Sequence, residues 1–286
     1  MSIEVVRAPG FDPTSDEHLS LNTALLVEWL TEFLRDECIR RRGVSRAVLG
    51  LSGGVDSAVT AFLCARAFGP ANVTALRMPY KISSQASLDH ARLVSDQLGI
   101  IEETIDITGM VDGYLQLEPE ASPARIGNVC ARARMTVLFD QSAKLGALPM
   151  GTGNKTERLF GYFTWHADDS PPINPLGDLF KTQVWQLARE LGVPEEIVNK
   201  PATADLIKGQ TDEGDFGITY DKADRILAYL VAGWSAAKLI ERGFDRAEVE
   251  LVAKRVDSTH WKRRLPTVAM VSTSAIGEYY LRPVDY

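Results

Sequence analysis

An apolar run that ends in two adjacent glycines constrains this chain more than any other feature of its sequence. Residues 47–51 (AVLGL) have the length and composition of a buried parallel strand, and apolar residues at helical spacing follow Ser57. The segment between them, SGGVDS (52–57), is therefore predicted to turn from the strand into the helix. Gly53 and Gly54 allow backbone N–H groups to converge on an anion, and the helix adds its positive end. The sequence predicts a phosphate-binding loop.

Asp56 gives this loop an unusual charge. The loop of kinases and GTPases places a lysine after its glycines, whereas this chain places an aspartate there. A carboxylate would repel a bare phosphate, but it has a function if it holds a magnesium ion that the phosphates share. The alternative is a tight turn in which Asp56 only stabilises the start of the helix. The loop by itself leaves both interpretations open.

Composition narrows the class of protein. The 286 residues are 45% hydrophobic and 24% charged, which is typical of a soluble globular chain, and the net charge of −7 argues against a general nucleic-acid binder. No signal pattern opens the chain, and no apolar run reaches the roughly 20 residues that span a bilayer. Cys38, Cys64 and Cys130 lack metal-site spacing, which favours structural thiols in a reducing compartment. We expect a cytoplasmic protein without membrane or nucleic-acid partners.

Strand and helix patterns alternate along the first two thirds of the chain. A first helix is expected over 20–42 with Ser20 as its N-cap, followed by strands at 47–51, 73–78, 100–105 and 147–150 and by helices at 57–68, 85–98 and 124–145. This alternation predicts an α/β fold, a doubly wound parallel sheet with helices on both faces, whose ligands bind at the carboxyl ends of the strands. We expect one domain, 1–286, made of an N-terminal helical segment (1–45), a nucleotide-binding core (46–177) and a helical C-terminal part (178–286).

A long polar loop, 201–218, interrupts the C-terminal part. It has few apolar anchors, four acidic residues and three glycines. Loops of this length in compact domains are often lids or binding elements, so a mobile loop over the site is predicted. A plain connector is the alternative.

Several motifs resemble those of one enzyme family. SGGVDS at the end of a first strand is similar to the signature of the ATP pyrophosphatases, and the later motifs GNVCARARM (127–135), GTGNKTE (151–157), GYFT (161–164) and the stretch 177–220 resemble the short, ammonia-dependent NAD synthetases. The resemblance covers most of 45–265. It implies an adenine nucleotide alpha hydrolase-like fold and the amidation of deamido-NAD by ammonia through an acyl-adenylate. ATP would be the co-substrate, Mg²⁺ the cofactor, and AMP and pyrophosphate the by-products.

The resemblance also implies roles for particular residues. Asp56 and Glu157 would hold magnesium, although Glu157 could instead be a first-turn carboxylate that stabilises its helix. Lys181 is expected in the first turn of a helix, where a cation is unfavourable unless an anion offsets it, so phosphate binding is favoured. With Asp56 and Lys181, Asp205 is a predicted catalytic residue. The predicted ATP-binding set is Gly50, Leu51, Ser52, Gly53, Gly54, Val55, Asp56, Ser57, Thr152, Lys181 and Thr203.

Substrate contacts are expected from Arg132, His260, Trp261 and Lys262, although HWKRR (260–264) could also be an exposed basic edge. Arg134 would be a salt-bridge partner, and Lys155 is a weaker candidate for phosphate binding. The chain departs from the family after GYFT, where Trp165 and Pro172 stand in place of a substrate-binding lysine and aspartate. Trp165 could stack on a pyridine or adenine ring or lie in the core.

Three further points stay open at this level. The proton of ammonium could pass to Asp205, Asp212 or Glu213 in the polar loop, or to the Asp168–Asp169 pair. The first strand begins too early for an amidase domain to precede it, so ammonia would be free or come from a separate amidotransferase. A homodimer is expected from the resemblance. The alternative functions are a tRNA-modifying ATP pyrophosphatase and a non-catalytic nucleotide sensor derived from the synthetase.

Overall fold

The computed structural model describes residues 15, 17–203, 210–264, 268, 269 and 271, and within them a parallel four-stranded sheet forms the centre of the molecule. Its strands are β1 (Ala47–Gly50), β2 (Val73–Arg77), β3 (Ile101–Thr104) and β4 (Leu148–Met150), in the order β3-β2-β1-β4. Ala47 of β1 lies opposite Val73 on one side and Leu148 on the other. The strand order reverses between β1 and β4, which is where ligands bind in doubly wound sheets.

Helices connect and follow the strands. Those of the first half are α1 (Thr23–Leu34), which continues as a π-helical segment over Arg35–Arg40, α2 (Val55–Phe68), α3 (Gln85–Leu98), α4 (Thr108–Leu115) and α5 (Pro123–Leu145). Those of the second half are α6 (Lys155–Phe160), α7 (Lys181–Leu191), α8 (Glu195–Val198), α9 (Asp212–Phe216), α10 (Tyr220–Val231), α11 (Ala236–Glu241) and α12 (Arg246–Thr259). Short 3₁₀ turns occupy Glu17–Leu19, Pro70–Asn72 and His260–Arg263.

The two faces of the sheet pack against different helices because successive residues of a strand point in opposite directions. Ala47 and Leu49 of β1 join a core with α1, α2, α3 and α7, whereas Val48 joins a core with α4 and α5. This arrangement confirms the predicted doubly wound α/β sheet with helices on both faces.

The element boundaries agree with the predictions to within a few residues, with two exceptions. Asn22, rather than the predicted Ser20, caps α1, and its side chain accepts a hydrogen bond from the backbone N–H of Leu25. Helix α4 was not predicted, because it contains two glycines and buries only Val111 deeply, so it lacks a clear amphipathic pattern.

The C-terminal helices form a third core that contacts α6 and α7. Phe216 of α9 is 2% exposed and makes edge-to-face contacts with Phe160, at 4.9 Å between ring centroids, and with Tyr220, at 5.3 Å. The expectation that 201–218 is irregular with few apolar anchors was therefore wrong for α9, because a single aromatic residue suffices to anchor this helical turn. Residues 204–209, with the predicted catalytic Asp205, lie outside the described residues.

Two expectations from composition can be compared with the fold. Cys38, Cys64 and Cys130 are buried and form no disulfide, and burial raises the pKa of the Cys38 thiol to about 11. They are structural thiols, as predicted. Within the parts of the chain that the structure describes, we find no helix of the length and apolarity that crossing a membrane requires.

Candidate active site

The loop between β1 and α2 has a geometry that only glycine permits at its centre. Gly53 has φ +76°, and a Cβ added to it would lie 2.1 Å from the backbone oxygen of Ser87. Within the loop, the Ser57 hydroxyl donates to the carbonyl oxygen of Gly54 at 3.0 Å and accepts from the backbone N–H of Ser52 at 3.2 Å. These bonds hold the loop in this conformation.

The helix that follows the loop, α2, begins without a side-chain cap, so its N-terminus carries an unneutralised partial positive charge. Gly54 is the N-cap of α2 and has no side chain with which to satisfy the first N–H groups of this 14-residue helix. An anion placed there receives both hydrogen bonds and the helix dipole. The predicted phosphate-binding loop therefore has the required backbone geometry.

A cavity of about 320 Å³ opens at the carboxyl ends of the strands, beside this loop. Eleven of the predicted ATP-binding and metal-binding residues line it, namely Gly50, Leu51, Ser52, Gly54, Val55, Asp56, Ser57, Thr152, Glu157, Lys181 and Thr203. Gly53 lies behind the loop, against Ser87, and acts through the loop conformation. The structure thus brings residues from four separate motifs to one site.

A buried lysine joins two carboxylates at the base of the cavity. The Lys181 Nζ donates to Asp56 Oδ2 and lies 3.7 Å from Glu157 Oε1, and the lysine side chain is 3% exposed. Burial by itself would lower the pKa of Lys181, but the negative charges of Asp56 and Glu157 outweigh it and raise the pKa above its ordinary value. Lys181 therefore stays charged.

Glu157 combines the two roles that the sequence left as alternatives. It is the third residue of α6, and its side chain and that of Asn154 form a reciprocal capping box. Burial, followed by the charge of Asp56, raises the pKa of Glu157 to about 8, while Lys181 opposes this shift. A nearby cation would stabilise the ionised form of a buried carboxyl group whose pKa is raised. Glu157 can therefore cap its helix and also bind a metal.

Asn154 is a site residue that the sequence analysis missed. It is fully buried, and its Nδ2 donates to Asp56 Oδ1 at 3.0 Å, which orients the carboxylate toward Lys181. The Asn-x-x-Glu spacing of a capping box over 154–157 was a readable signal for its position at the helix start. Its contact with Asp56 was not readable, because 98 residues separate the two.

Asp224 of α10 is a second missed residue, and it joins the helices that carry Glu157 and Lys181. Its Oδ1 accepts from the Thr156 hydroxyl at 2.5 Å, and its Oδ2 accepts from the backbone N–H and the hydroxyl of Thr182, both at 2.9 Å. The Thr156 hydroxyl in turn accepts from the backbone N–H of Lys181 at 3.0 Å. The available signal was a carboxylate on the apolar face of α10.

The predicted substrate-binding residues form a separate group beside this cavity. Arg132 donates to the carbonyl oxygen of Trp165 at 3.1 Å, and the rings of Trp165 and Trp261 meet edge to face at 5.3 Å. Lys262 donates to the carbonyl oxygens of Gly161 and Phe163, which ties the segment before Trp165 to the C-terminal turn. These residues, with His260, lie outside the cavity lining among the described residues, and their substrate role stays a prediction.

Three neighbouring residues make contacts that the sequence did not predict. Arg134, predicted only as a salt-bridge partner, lines the cavity and donates to the carbonyl oxygen of Met78 at 3.0 Å. Lys155 pairs with the exposed carboxylate of Asp178 at 2.8 Å. Trp165 is half-buried between Trp261 and His166, so it is not a fully buried core residue.

Together these contacts define what the site can do. A fixed loop at a helix N-terminus and a permanently charged lysine can hold phosphates, and two carboxylates can share a cation with them. Within the residues that the structure describes, no three His, Cys, Asp or Glu side chains form a group that could hold a metal ion. The arrangement suits a nucleotide that brings its own metal-binding oxygens.

Comparisons with known proteins agree with this chemistry. The NAD synthase family model matches residues 26–266. An NH(3)-dependent NAD(+) synthetase from Trichlorobacter lovleyi is 48% identical over 259 residues, which cover 90% of this chain and 94% of that protein. Among solved structures, the NMN synthetase from Francisella tularensis superposes with a TM-score of 0.78 at 29% identity, covering 87% of this chain and 99% of that one. The NH3-dependent NAD synthetase from Campylobacter jejuni superposes with a TM-score of 0.75 at 29% identity, covering 87% of this chain and 100% of that one. With most of its length matched in sequence and in fold, this chain belongs to the NAD synthase family.

Proposed function

We propose that the chain is a ligase that amidates deamido-NAD with ammonia at the expense of ATP, giving NAD, AMP and pyrophosphate. The observation that carries the proposal is the contact of Lys181 with Asp56 and Glu157 beside the SGGVDS loop. A permanent cation and two carboxylates beside this loop support the binding of a triphosphate together with a metal ion. The family assignment and the 48% identical NH(3)-dependent relative support the same reaction.

The first step activates the acid. A nicotinate carboxylate oxygen forms a bond to the α-phosphorus of ATP, the bond from that phosphorus to the bridging oxygen breaks, and pyrophosphate leaves with the electron pair. The loop N–H groups and Lys181 neutralise the charge that develops on the pyrophosphate, and the walls of the cavity hold the two reactants together. No protein nucleophile is required.

The second step forms the amide. Ammonium first loses a proton, and the ammonia nitrogen then attacks the carbonyl carbon of the acyl-adenylate. AMP leaves with the electron pair of the broken carbon–oxygen bond, and the nitrogen releases one further proton. Of the predicted proton acceptors, Asp168 and Asp212 line the cavity.

Magnesium fits the residues present. Asp56 and Glu157 offer the hard carboxylate oxygens that Mg²⁺ prefers, and both form ion pairs with the Nζ of Lys181, so the two side chains lie close together. When bound, the ion would neutralise phosphate charge. Lys181 would then share the phosphates with it.

The acid that is activated is the finer part of the proposal. Deamido-NAD follows from the NAD synthetase relatives, whereas the NMN synthetase from Francisella tularensis favours nicotinate mononucleotide as a second candidate. The test offers each acid with ATP, magnesium and ammonium, and it measures pyrophosphate and the amide product. We expect deamido-NAD to give the higher kcat/KM. Turnover of nicotinate mononucleotide alone would refute this choice of substrate, and no turnover with either acid would favour the nucleotide-sensor alternative.

Asp56→Asn tests the role of the loop carboxylate. The substitution keeps the shape of the side chain and removes its charge, so we expect magnesium-dependent pyrophosphate release to fall by about a hundredfold or more, as for other groups that stabilise charge in a transition state. Asp178→Asn is the control, because Asp178 is a surface carboxylate that pairs with Lys155. Unchanged turnover in Asp56→Asn would exclude its metal role.

We also propose that the chain acts as a cytoplasmic homodimer that takes free ammonia or receives it from a separate amidotransferase. The buried, unpaired cysteines support a reducing compartment. Trp29 of α1 is 57% exposed and stacks on Phe33 at 5.9 Å, which gives a surface that a second copy could cover. Analytical sedimentation of wild type and Trp29→Ala compares their dimer dissociation constants and so tests whether a second copy covers α1. An unchanged dimer would exclude α1 from the interface.

A further inference from the structure

We propose that Asp212 forms the ammonium-binding site of this cavity. The proposal rests on the proposed function, since it assigns a place to the nitrogen substrate of that reaction. It concerns a residue that the sequence analysis named only among several acidic candidates. The structure separates Asp212 from the others by its burial and by its hydrogen bonds.

Asp212 is a buried carboxylate with one satisfied oxygen. It is 4% exposed and lines the cavity, and its Oδ2 accepts from the Tyr220 hydroxyl at 2.8 Å. Its Oδ1 is buried and, within the described parts of the chain, no donor meets it at hydrogen-bond geometry. The Tyr162 hydroxyl, which also acts on the Asp212 carboxylate, donates instead to Asp215 Oδ2 at 2.8 Å. A buried carboxylate oxygen without a donor is costly, and a charged N–H donor is the group that would relieve that cost best.

The other acidic residues near the cavity, among those that the structure describes, have no buried oxygen without a donor. Asp56 accepts from Asn154 and Lys181 through its two oxygens, and Asp168 Oδ1 accepts from the backbone N–H of Thr164 at 2.8 Å. Glu213 is exposed, and its Oε1 accepts from the backbone N–H of Tyr220 at 2.8 Å. Asp212 is therefore the best-suited acceptor for a further donor among these residues.

Charge favours a small cation at this position. Asp212, Asp56 and Glu157 influence one another electrostatically, and Lys181 is the cation that acts on all three. Even where Glu157 is protonated, one lysine does not neutralise the carboxylates of Asp56 and Asp212 together. Ammonium has a single positive charge and four N–H donors, so it can satisfy Asp212 Oδ1 and add the missing charge, whereas Mg²⁺ would bind Asp56 and Glu157 together with phosphate oxygens.

The position of Asp212 is well fixed, as a binding site requires. Its backbone N–H donates to the carbonyl oxygen of Ala202 at 3.0 Å, and Thr211 caps the start of α9 by accepting from the N–H of Gly214. The Tyr220 hydroxyl that orients Asp212 belongs to a residue that is itself fully buried. A carboxylate held this way does not rotate away from an incoming cation.

The test separates the two half-reactions. Exchange of labelled pyrophosphate into ATP, with deamido-NAD and magnesium but no ammonium, reports acid activation alone, whereas NAD formation at varied ammonium reports the second step. For Asp212→Asn we expect exchange within about threefold of wild type and a KM for ammonium raised about ten- to a hundredfold, as for loss of a hydrogen bond to a charged group. Hydroxylamine, which is neutral at pH 7, should restore trapping of the acyl group by this variant.

Asp215→Asn is the matched control. Asp215 lies on the same short helix, and its carboxylate accepts from the Tyr162 hydroxyl at 2.8 Å, so this variant disturbs α9 without removing the buried charge. Its KM for ammonium should stay within about threefold of wild type. If Asp212→Asn does not fold, Asp212→Ser removes the same charge with a smaller side chain. We expect it to show the same result, near-normal pyrophosphate exchange with a raised KM for ammonium.

The outcomes are distinguishable. An unchanged KM for ammonium in a folded Asp212 variant would overturn the ammonium site and leave the proposed function intact. An equal rise in Asp215→Asn would also overturn it, since the effect would then belong to the helix. Absence of pyrophosphate exchange in the wild-type chain would refute the proposed function, and the ammonium site with it.

Discussion

Gly53→Ala should damage the phosphate loop, whereas Gly54→Ala should not. At Gly53 the backbone has φ +76°, and the added Cβ would meet the Ser87 oxygen at 2.1 Å, a contact with backbone that no rotamer change relieves. At Gly54 φ is −96°, which any residue can adopt, and the nearest atom to an added Cβ is the Ser52 hydroxyl oxygen at 3.4 Å. The two variants differ by one position and add the same methyl group.

The expected cost at Gly53 has three parts. A left-handed conformation costs a non-glycine residue about 1–2 kcal/mol, and the forced shift of packed backbone costs about 1–3 kcal/mol. Replacing glycine also lowers the conformational entropy of the unfolded chain, which stabilises the folded state by about 0.4–1 kcal/mol. The free energy of unfolding should therefore fall by about 1–4.5 kcal/mol. At Gly54 only the last gain and a loss of N-cap preference of similar size remain, so we expect a change within about 0.5 kcal/mol.

Urea unfolding and the KM for ATP together test this reasoning. Gly53→Ala should lose stability, or, where the loop relaxes away from α3 instead, it should lose ATP affinity by about tenfold or more, since about 1.4 kcal/mol corresponds to a factor of ten. Because Gly54 lines the cavity, the comparison with Gly54→Ala is one of stability alone, and this variant should match wild type in urea unfolding. The argument from loop geometry fails if the two variants are equally stable and Gly53→Ala keeps the wild-type KM for ATP.

Two further predictions concern residues that fix the frame of the site. Burial raises the pKa of Asp224 to about 6 from 3.8, although Thr156 and Thr182 donate to it, so the folded state binds more protons than the unfolded state between these values. The stability that Asp224 contributes is therefore present below pH 4 and is lost as pH rises through 6, by about 3 kcal/mol relative to Asp224→Asn. Urea unfolding of both proteins from pH 4 to 7 checks this, and parallel pH profiles would contradict it. Lys262→Met removes the donor to the carbonyl oxygens of Gly161 and Phe163, so the free energy of unfolding should fall by about 1–3 kcal/mol, with Lys254→Met on α12 as the comparison. Equal stability of these two variants would exclude a structural role for Lys262.

The parts of the site that the sequence predicted are those set by local rules. The strand, loop and helix around SGGVDS follow from hydrophobic pattern and glycine geometry within about 20 residues. The predicted bounds of the strand and of the helix were correct to within two residues at each end. Lys181 was expected in the first turn of its helix, and it is the first residue of α7. Family resemblance supplied the roles of these residues, which their spacing could not.

The remaining contacts depend on distant segments of the chain. Asn154 reaches Asp56 across 98 residues, and Asp224 reaches Thr156 across 68, so neither pairing leaves a periodic signal in the sequence. The anchoring of α9 depends on one aromatic residue, Phe216, entering a core built by α6 and α10. Such contacts are decided by the tertiary structure, where packing outweighs the low apolar content of the local segment.

The arrangement of the three helices that begin at the cavity explains why the charges lie where they do. Helices α2, α6 and α7 each direct a positive end toward the carboxyl ends of the strands, and their first turns carry Asp56, Glu157 and Lys181. A carboxylate is stabilised at such a terminus, whereas a lysine is destabilised. Lys181 is tolerated because two neighbouring termini supply the carboxylates that hold it, and Asp224 offers a third negative group on the other side of its first turn. The fold thus keeps a buried cation ready for an anionic ligand, and replacing either carboxylate should weaken the folded state and the phosphate site together.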